Sequence, residues 1–179
     1  MALPGWREEP IAKDHPRDSF DCGDADLNRY LQRFARQNHE SGGSKTFVAI
    51  GETDGRILGF YSLAPAVARY DQTPESIRKG LSRHDVPGYR LARLAIDVSV
   101  QGQGLGGQLL LSAGRRCLLV AGEVGGVALY IDAKNTRAAR WYEGFGALRL
   151  GGASEHGSTI AMVISLKTIA SALAAVGKQ

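Results

Sequence analysis

Four glycines lie within six residues, at positions 102, 104, 106 and 107 of the stretch QGQGLGG. The stretch follows a run predicted to form a β-strand and precedes apolar residues at helical spacing. A glycine-rich turn at the start of a helix lets backbone N–H groups approach a diphosphate, and the helix N-terminus adds partial positive charge. The sequence therefore predicts a phosphate-binding turn at residues 101–107, with an ordinary glycine-tolerant β-to-α turn as the alternative.

Two common phosphate-binding motifs can be compared with this turn. A P-loop is excluded because no Lys-Ser or Lys-Thr pair follows the last glycine. Gly102, Gly104 and Gly107 do satisfy the dinucleotide-binding pattern G-x-G-x-x-G, and Glu123 or Asp132 could be its ribose-binding acid. A dinucleotide fold needs successive βαβ units, however, and only 47 residues follow Asp132. The topology therefore argues against dinucleotide binding.

The turn also resembles the acetyl-CoA-binding signature of a known enzyme superfamily. Residues 101–106 match the pattern Q/R-x-x-G-x-G/A of the GCN5-related N-acetyltransferases (GNAT). The stretch LARLAID at residues 91–97 resembles that family's fourth strand, and NTRAARWYEGFG at 135–146 resembles its late N-x-x-A-x-x-x-Y…G-F segment. Ala147 lies where a second aromatic or apolar residue usually occurs. The pieces follow the family's order over residues 46–166, so the resemblance implies an acetyl-CoA-dependent N-acetyltransferase.

A narrower resemblance covers the N-terminal part. The stretch FDCGD at residues 20–24, then Leu27 and Leu31, then KTFV at 45–48, is similar to the acetyltransferase toxins of bacterial toxin–antitoxin pairs. This resemblance implies acetylation of the free α-amine of aminoacyl-tRNA, which blocks translation. It also implies silencing by a ribbon-helix-helix antitoxin, binding of operator DNA only through the antitoxin complex, and a homodimer.

The family resemblance assigns residues to the acetyl donor. Backbone N–H groups of the turn would hold the pyrophosphate, and the edge of the fourth strand would pair with the pantetheine amides and face the thioester oxygen. Asn135 would bind the cofactor arm, and it is also a candidate helix N-cap. The expected acetyl-CoA-binding residues are Leu94, Ala95, Ile96, Gln101, Gly102, Gln103, Gly104, Gly106, Gly107 and Asn135.

Tyr142 is the predicted general acid. The departing thiolate needs a proton, and a phenol with a pKa of about 10 stays protonated at neutral pH. The alternative is an ordinary half-buried aromatic on the helix, and the neighbouring Trp141 is assigned to packing.

No obvious pair of carboxylates suggests a general base, since neither of the available acids, Asp97 and Glu143, is persuasive. An α-amino group has a pKa of about 7.7–8.0 and is partly neutral at cellular pH, whereas lysine at about 10.4 needs deprotonation. The missing base therefore favours an α-amine acceptor, with an ordered water as the alternative base.

The chain carries a net charge of +4 and has a pI near 9.2. Its basic residues are clustered, which suggests contacts to tRNA phosphates and salt-dependent binding. The alternatives are a solvated basic surface and, for the arginine-rich helix, an acidic antitoxin tail. The candidate tRNA-binding residues are Arg29, Arg33, Arg36, Arg78, Lys79, Arg83, Arg90 and Arg93, of which Arg93 lies on the cofactor strand.

Composition limits the class of protein. The 179 residues suit one domain, and 44% hydrophobic with 22% charged residues is typical of globular chains. Two distant cysteines exclude a disulfide scaffold, and the four histidines form no metal-ligand pattern. No apolar stretch approaches the roughly 20 residues that span a bilayer, and the N-terminus lacks an apolar signal core. The composition therefore favours a cytoplasmic, metal-free protein, and the family resemblance implies acetyl-CoA as its acetyl donor.

The predicted elements form an α+β domain with a mixed sheet flanked by helices. Residues 1–22 are predicted to be irregular apart from one short strand. Asp24 is predicted to cap a helix that ends at 41–44. Asp54-Gly55 is predicted to join strands 46–50 and 57–63 in a hairpin. The residues of the first helix expected to face the core are Leu27, Tyr30, Leu31, Phe34 and Ala35.

The second half is predicted to contain one βαβ crossover. A short helix at 75–81 precedes a strand at 89–98, which leads through the glycine turn and a helix to a strand at 127–131. A helix at about 135–143, strands at 147–150 and 159–166, and an alanine-rich helix complete the chain. We expect one domain over residues 1–179, with the acetyl-CoA-binding core at about 89–146.

The sequence therefore favours an aminoacyl-tRNA N-acetyltransferase acting as a toxin. One alternative is a GNAT enzyme that acetylates a protein N-terminus or a small-molecule amine. Another is a non-catalytic nucleic-acid-binding module on the same fold.

Overall fold

A mixed seven-stranded sheet, with strand order β1-β2-β3-β4-β5-β7-β6, runs through the part of the chain that the structure describes. The structure is a computed structural model that describes residues 2–152 and 159–177. The strands are β1 (Trp6–Pro10), β2 (Lys45–Gly51), β3 (Ile57–Ala68), β4 (Val86–Ile96), β5 (Ala128–Ala133), β6 (Leu148–Arg149) and β7 (Ile160–Ser165). The helices are α1 (Ala25–Arg29), α2 (Ala35–Ser41), α3 (Glu75–Arg78), α4 (Leu105–Val124), α5 (Thr136–Glu143) and α6 (Leu166–Val176).

The chain divides into two compact units. The first unit comprises Met1–Ala64 and Ala92–Ala113, and the second comprises Pro65–Leu91 and Gly114–Gln179. The glycine-rich turn therefore lies in the first unit, whereas Asn135 and Tyr142 lie in the second. Among the described residues, no helix is long and apolar enough to cross a membrane.

The predicted hairpin is confirmed in the first unit. β2 and β3 pair antiparallel, and Gly55 at their turn has a φ of +70°, a conformation that glycine adopts without strain. β1 pairs antiparallel with β2, which confirms the short N-terminal strand. The buried core of this unit includes Phe20, Leu31, Val48, Ile50, Phe60 and Ala95.

The N-terminal helix begins at its predicted cap. The carboxylate of Asp24 accepts hydrogen bonds from the backbone N–H groups of Asp26 at 3.0 Å and Leu27 at 3.3 Å. The helix ends before Gly42, which has a φ of +84°. Between α1 and α2 lies a π-helical segment, Tyr30–Phe34, that the sequence pattern did not predict.

The expected burial of Phe34 was wrong. Leu31 and Ala35 are fully buried, and Leu27 and Tyr30 pack partly against the core, but 49% of Phe34 is exposed. The expectation assumed 3.6 residues per turn throughout the helix. The π-helical segment has wider turns, so the rotation per residue falls and Phe34 leaves the core-facing side.

The predicted crossover is confirmed in the second half of the chain. β4 and β5 pair in parallel, and α4 connects them, whereas β7 runs antiparallel to both β5 and β6. Gly88 allows the close approach of β4 to β5, because a Cβ there would lie 2.2 Å from the carbonyl oxygen of Ala128. The helix predicted at about 135–143 is present as α5, whereas the helix predicted at 75–81 is shorter and ends at Arg78, two residues before Gly80 with its φ of +84°.

Candidate functional site

The glycine-rich turn connects the end of β4 to the start of α4. A short 3₁₀ helix, Val98–Val100, precedes it. Gly102 and Gly104 have φ values of +77° and +90°, which side chains rarely adopt, and a Cβ at either position would meet nothing within 4 Å. The turn therefore needs glycine for its backbone conformation and has open space in front of it.

The turn also offers donors to an anion. The first four N–H groups of α4 have no acceptor within the helix, and the helix dipole places partial positive charge there. The side-chain oxygen Oε1 of Gln103 is buried and has no hydrogen-bond partner among the described residues. Buried polar atoms without a partner are uncommon in folded proteins, so Gln103 Oε1 is available to accept a hydrogen bond from a ligand at this turn.

Gln101 holds the turn against the N-terminal loop, which connects β1 to α1 and contains Cys22. Its side-chain Nε2 donates to the carbonyl oxygens of Cys22 at 2.9 Å and Ile96 at 2.8 Å. The carboxamide N–H groups of Gln101, which was predicted to bind the cofactor, are thus used inside the protein. The side chain of Gln101 acts by fixing the position of the turn.

Asp97 holds the end of β4 against the same loop. Its carboxylate is 1% exposed and accepts hydrogen bonds from the backbone N–H of Asp21 at 3.0 Å and from the Ser99 hydroxyl at 2.6 Å. In return, the backbone N–H of Val98 donates to the carbonyl oxygen of Asp21 at 2.8 Å. The stretch FDCGD therefore supports the glycine turn, a role that no local sequence feature predicted.

β4 carries the residues predicted to pair with pantetheine. Ala95 is buried in the core of the first unit, whereas Leu94 and Ile96 are partly exposed. Gly59 of β3 permits the close approach of β3 to β4, because a Cβ at this position would lie 3.0 Å from the Ala95 carbonyl oxygen.

Arg93 lies over an aromatic ring in the first unit. Its guanidinium carbon is 4.6 Å from the ring centroid of Tyr30, and its Nη1 donates to the carbonyl oxygen of Ala92. Burial raises the pKa of the Tyr30 phenol, but hydrogen bonds, first of all with Ser44, outweigh it and bring the pKa below the ordinary value. The ring and the cation stabilise each other's position.

In the second unit, Asn135 and Tyr142 lie at opposite ends of α5. The Asn135 side chain accepts a hydrogen bond from the Ala138 backbone N–H at 2.9 Å, which confirms its predicted role as N-cap. Burial raises the pKa of Tyr142 to about 12. The Tyr142 hydroxyl has no hydrogen-bond partner among the described residues, and Trp141 packs edge-on against the ring at a centroid distance of 4.9 Å.

Comparison with known proteins places the chain in a family. Residues 42–146 match the acetyltransferase (GNAT) domain, a match that contains the glycine turn, Asn135 and Tyr142. The chain belongs to the GNAT acetyltransferases.

Within this family, the chain is similar to two proteins that act on or bind tRNA. The chain is 38% identical, over 127 residues, to a tRNA-acetylating toxin of Mycobacterium tuberculosis, covering 71% of this chain and 75% of the relative. It also resembles the structure of AtaT complexed with acetyl-methionyl-tRNAfMet, with a TM-score of 0.85 and 26% identity over 94% of this chain and 99% of the other.

A third similar structure holds a protein partner. It is an AtaT variant bound to the C-terminus of the antitoxin AtaR, with a TM-score of 0.77 and 25% identity. The match covers 93% of this chain and 97% of that one. No group of three or more His, Cys, Asp or Glu side chains within residues 2–152 and 159–177 of this GNAT chain is arranged to hold a metal ion.

Three of the predicted tRNA-binding arginines of this GNAT chain are in ion pairs. The pairs are Arg29–Asp26, Arg36–Glu40 and Arg90–Asp132. All are partly or largely exposed, where such pairs contribute roughly 0–1 kcal/mol each. A phosphate could therefore compete for these arginines at little cost.

The other basic residues differ in their surroundings. Within the described part of the chain, Arg33, Lys79 and Arg83 have no ion-pair partner. Arg78 covers the ring of Tyr70, with its guanidinium carbon 4.9 Å from the centroid. The predicted basic residues thus differ in whether an acidic side chain or an aromatic ring already contacts them.

Asn135→Ala should lower the stability of this GNAT chain, because the first turn of α5 loses its cap. We expect a loss of about 1 kcal/mol, or roughly 2–4 °C in Tm for a chain of this size. Asn135→Ser restores a capping oxygen and should keep the Tm. Thermal unfolding followed by circular dichroism measures both. An unchanged Tm for Asn135→Ala would show that the cap contributes nothing to stability. Loss of acetyl-CoA binding by Asn135→Ser, with its Tm unchanged, would point to a direct contact between Asn135 and the donor.

Proposed function

We propose that this GNAT enzyme transfers an acetyl group from acetyl-CoA to the free α-amine of aminoacyl-tRNA, and that it blocks translation as the toxin of a toxin–antitoxin pair. The observation that carries the proposal is the 38% identity to a tRNA-acetylating toxin over most of both chains. The likeness to AtaT, whose structure holds acetyl-methionyl-tRNAfMet, supports the same substrate class.

The glycine turn fits the acetyl donor. Acetyl-CoA supplies a thioester that makes the acetyl group reactive towards an amine. The backbone N–H groups of Gln103, Gly104, Gly106 and Gly107 hold its pyrophosphate, in the open space that the two positive-φ glycines leave. The free edge of β4 at residues 94–96 and Asn135 bind the rest of the donor.

Tyr142 acts as the general acid. Because burial raises its pKa to about 12, its hydroxyl keeps the proton at all physiological pH values. The hydroxyl has no partner among the described residues, so its proton is not committed to another bond. Tyr142 Oη donates this proton to the leaving sulfur as the C–S bond breaks and the new amide forms. The nitrogen loses one proton in the same reaction, and this proton returns the Tyr142 phenolate to its neutral form through solvent.

Neither of the two acids considered as a general base, Asp97 and Glu143, has a free carboxylate in the described part of the chain. Asp97 is buried and accepts several hydrogen bonds, and Glu143 is exposed and pairs with Arg149 at 3.4 Å. An acceptor that is already neutral needs no base to become a nucleophile, and an α-amine with a pKa of about 7.7–8.0 meets that condition far better than lysine. The same argument admits a protein N-terminus, which is the second candidate acceptor.

The proposed enzyme binds tRNA and an antitoxin. The tRNA phosphates are contacted by eight basic residues, namely Arg29, Arg33, Arg36, Arg78, Lys79, Arg83, Arg90 and Arg93. A ribbon-helix-helix antitoxin binds the enzyme, and operator DNA is bound only through that complex. The similar AtaT structure with the antitoxin C-terminus supports an antitoxin partner. Residues 1–179 act as one acetyltransferase domain in a cytoplasmic homodimer.

The acceptor can be tested with radiolabelled acetyl-CoA, purified enzyme and bulk tRNA, aminoacylated in one sample and uncharged in the other. We expect label on the charged tRNA only, released with the amino acid when the ester is hydrolysed at alkaline pH. Label on neither tRNA, while acetyl-CoA still binds, would contradict the proposal. A peptide with a free N-terminus is then the next acceptor to test.

A further inference from the structure

Asn28 of α1 holds two consecutive residues of the N-terminal loop. The residue is half-buried and has no role in the function proposed above. Its Oδ1 accepts a hydrogen bond from the backbone N–H of Cys22 at 2.9 Å, and its Nδ2 donates to Oδ1 of Asp21 at 2.9 Å. The oxygen and the nitrogen of this one carboxamide are therefore both used to fix the loop to α1.

The same two loop residues hold the chain at the glycine-rich turn. The backbone N–H of Asp21 donates to the Asp97 carboxylate at 3.0 Å, and the Asp21 carbonyl accepts from the N–H of Val98 at 2.8 Å. The Cys22 carbonyl accepts from Nε2 of Gln101, which lies in the turn itself, at 2.9 Å. One loop residue thus separates the α1 carboxamide from the end of β4 and from the turn.

The peptide group between Asp21 and Cys22 links the two sets of contacts. Its N–H donates to Asn28, and its carbonyl accepts from Val98. Hydrogen bonds at both ends of one amide strengthen each other, because each one increases the polarity of the group. The Asp21 carboxylate also accepts from the N–H of Gly23 at 2.8 Å. These hydrogen bonds, first of all that from Asn28, lower the pKa of Asp21, so the carboxylate stays ionised at neutral pH.

We propose that Asn28 is a positioning residue for acetyl-CoA, and that the N-terminal loop couples α1 to the glycine-rich turn. Backbone N–H groups bind a pyrophosphate well only when they are already aimed at one place. Asn28 acts on their direction through Asp21 and Cys22 and not by contact with the donor. The inference rests on the proposed binding of the donor at this turn and extends it to α1.

Isothermal titration calorimetry with CoA, which binds without reacting, measures the effect. Asn28→Ala removes both hydrogen bonds of the carboxamide and should weaken CoA binding about three- to tenfold. Unchanged affinity would overturn the proposal. The same titrations use no acceptor, so their outcome does not depend on which amine is acetylated.

Asp24→Ala is the matched control. It removes the cap of α1, and the hydrogen bonds that it deletes go to Asp26 and Leu27 within the same helix. This variant and Asn28→Ala should both lower the Tm by about 2–4 °C. Only Asn28→Ala should weaken CoA binding. An equal loss of affinity in the two variants would mean that Asn28 acts only by stabilising α1, and would refute the proposal.

A double-mutant cycle tests the route through the loop. Gln101→Met keeps the length of the side chain and removes the Nε2 that donates to Cys22. Asn28→Ala should therefore weaken CoA binding less in the Gln101→Met background than in the native chain. Fully additive effects of the two substitutions would contradict this route.

Hydrogen exchange detected by NMR tests the positioning without any donor. In the absence of CoA, the Val98 amide should exchange faster in Asn28→Ala than in the native chain, and Asp24→Ala should leave it unchanged. An unaltered Val98 amide in Asn28→Ala would refute the coupling. Normal binding of acetyl-CoA by Gly104→Glu would instead disprove donor binding at the turn and leave this exchange result as it is, so the two failures are distinguishable.

The native chain provides a measurement that needs no variant to fold. Coupling between two sites is reciprocal, so saturating CoA should slow exchange of the Cys22 amide, which donates to Asn28. An equal exchange rate with and without CoA would overturn the proposal.

Discussion

Tyr142→Phe is expected to lower the rate of acetyl transfer about 100- to 10,000-fold, the range in which a positioned general acid contributes to catalysis. The variant keeps the ring and its edge-on contact with Trp141, and it removes only the hydroxyl. The affinity for acetyl-CoA should therefore stay the same. Single-turnover transfer and isothermal titration calorimetry measure the two quantities separately.

Tyr89→Phe is the matched control. It removes a hydroxyl that donates to the Gly125 carbonyl oxygen, outside the proposed catalytic residues. Transfer by this variant should match that of the native enzyme. Undiminished transfer by Tyr142→Phe would remove Tyr142 from the mechanism, and loss of acetyl-CoA affinity would show that its hydroxyl binds the donor.

The pH dependence of kcat gives a second check on Tyr142. A general acid stops working when pH exceeds its pKa, and burial raises the pKa of Tyr142 to about 12. The rate should therefore stay constant between pH 8 and pH 10, with no loss from deprotonation of this phenol. An alkaline decline in that interval, present in the native enzyme and absent in Tyr142→Phe, would contradict the raised pKa.

Gly104→Glu is expected to abolish acetyl-CoA binding. Gly104 has a φ of +90°, so any side chain strains the turn, and the new carboxylate enters the open space in front of it. There it repels the pyrophosphate and competes for the N–H groups at the start of α4. Isothermal titration calorimetry with acetyl-CoA should show no binding at concentrations that saturate the native enzyme.

Gly122→Glu is the control for this substitution. Gly122 lies in α4, the helix that follows the turn, a Cβ there would meet nothing within 4 Å, and its φ is not in the left-handed region. This variant should bind acetyl-CoA normally. Gly104→Ala tests strain without charge and should give an intermediate loss. Normal binding by Gly104→Glu would mean that the donor does not bind at this turn.

Much of the fold follows from local patterns. The Asp54-Gly55 hairpin and the cap at Asp24 each depend on a few neighbouring residues, and both were predicted correctly. The order of strand, glycine-rich turn and helix at 86–124 was also predicted correctly. Phe34 was not, because a helical pattern assumes constant rotation per residue and carries no mark of a π-helical segment. Family resemblance, rather than any local pattern, singled out Tyr142.

The unpredicted parts of the site depend on residues far apart in the chain. Asp97 looked like an available acid, yet its bonding partner Asp21 lies 76 positions away. An open pocket beside Tyr70 is likewise lined by residues 69–71 and 83–85, from the two ends of the connection between β3 and β4. Composition and spacing cannot specify such contacts, because they arise only when the chain folds.

The two hydrogen bonds of the Gln101 side chain have a consequence for the newly synthesised chain. One of them reaches Cys22, 79 positions earlier, so the turn cannot reach its final form until the N-terminal loop and β4 have both left the ribosome and docked. Closing a loop of this length costs entropy that no local contact offsets. The turn is therefore completed only after residues 22 and 101 have both emerged, and a chain without Cys22 would retain one of the two hydrogen bonds of the Gln101 side chain, the bond to Ile96.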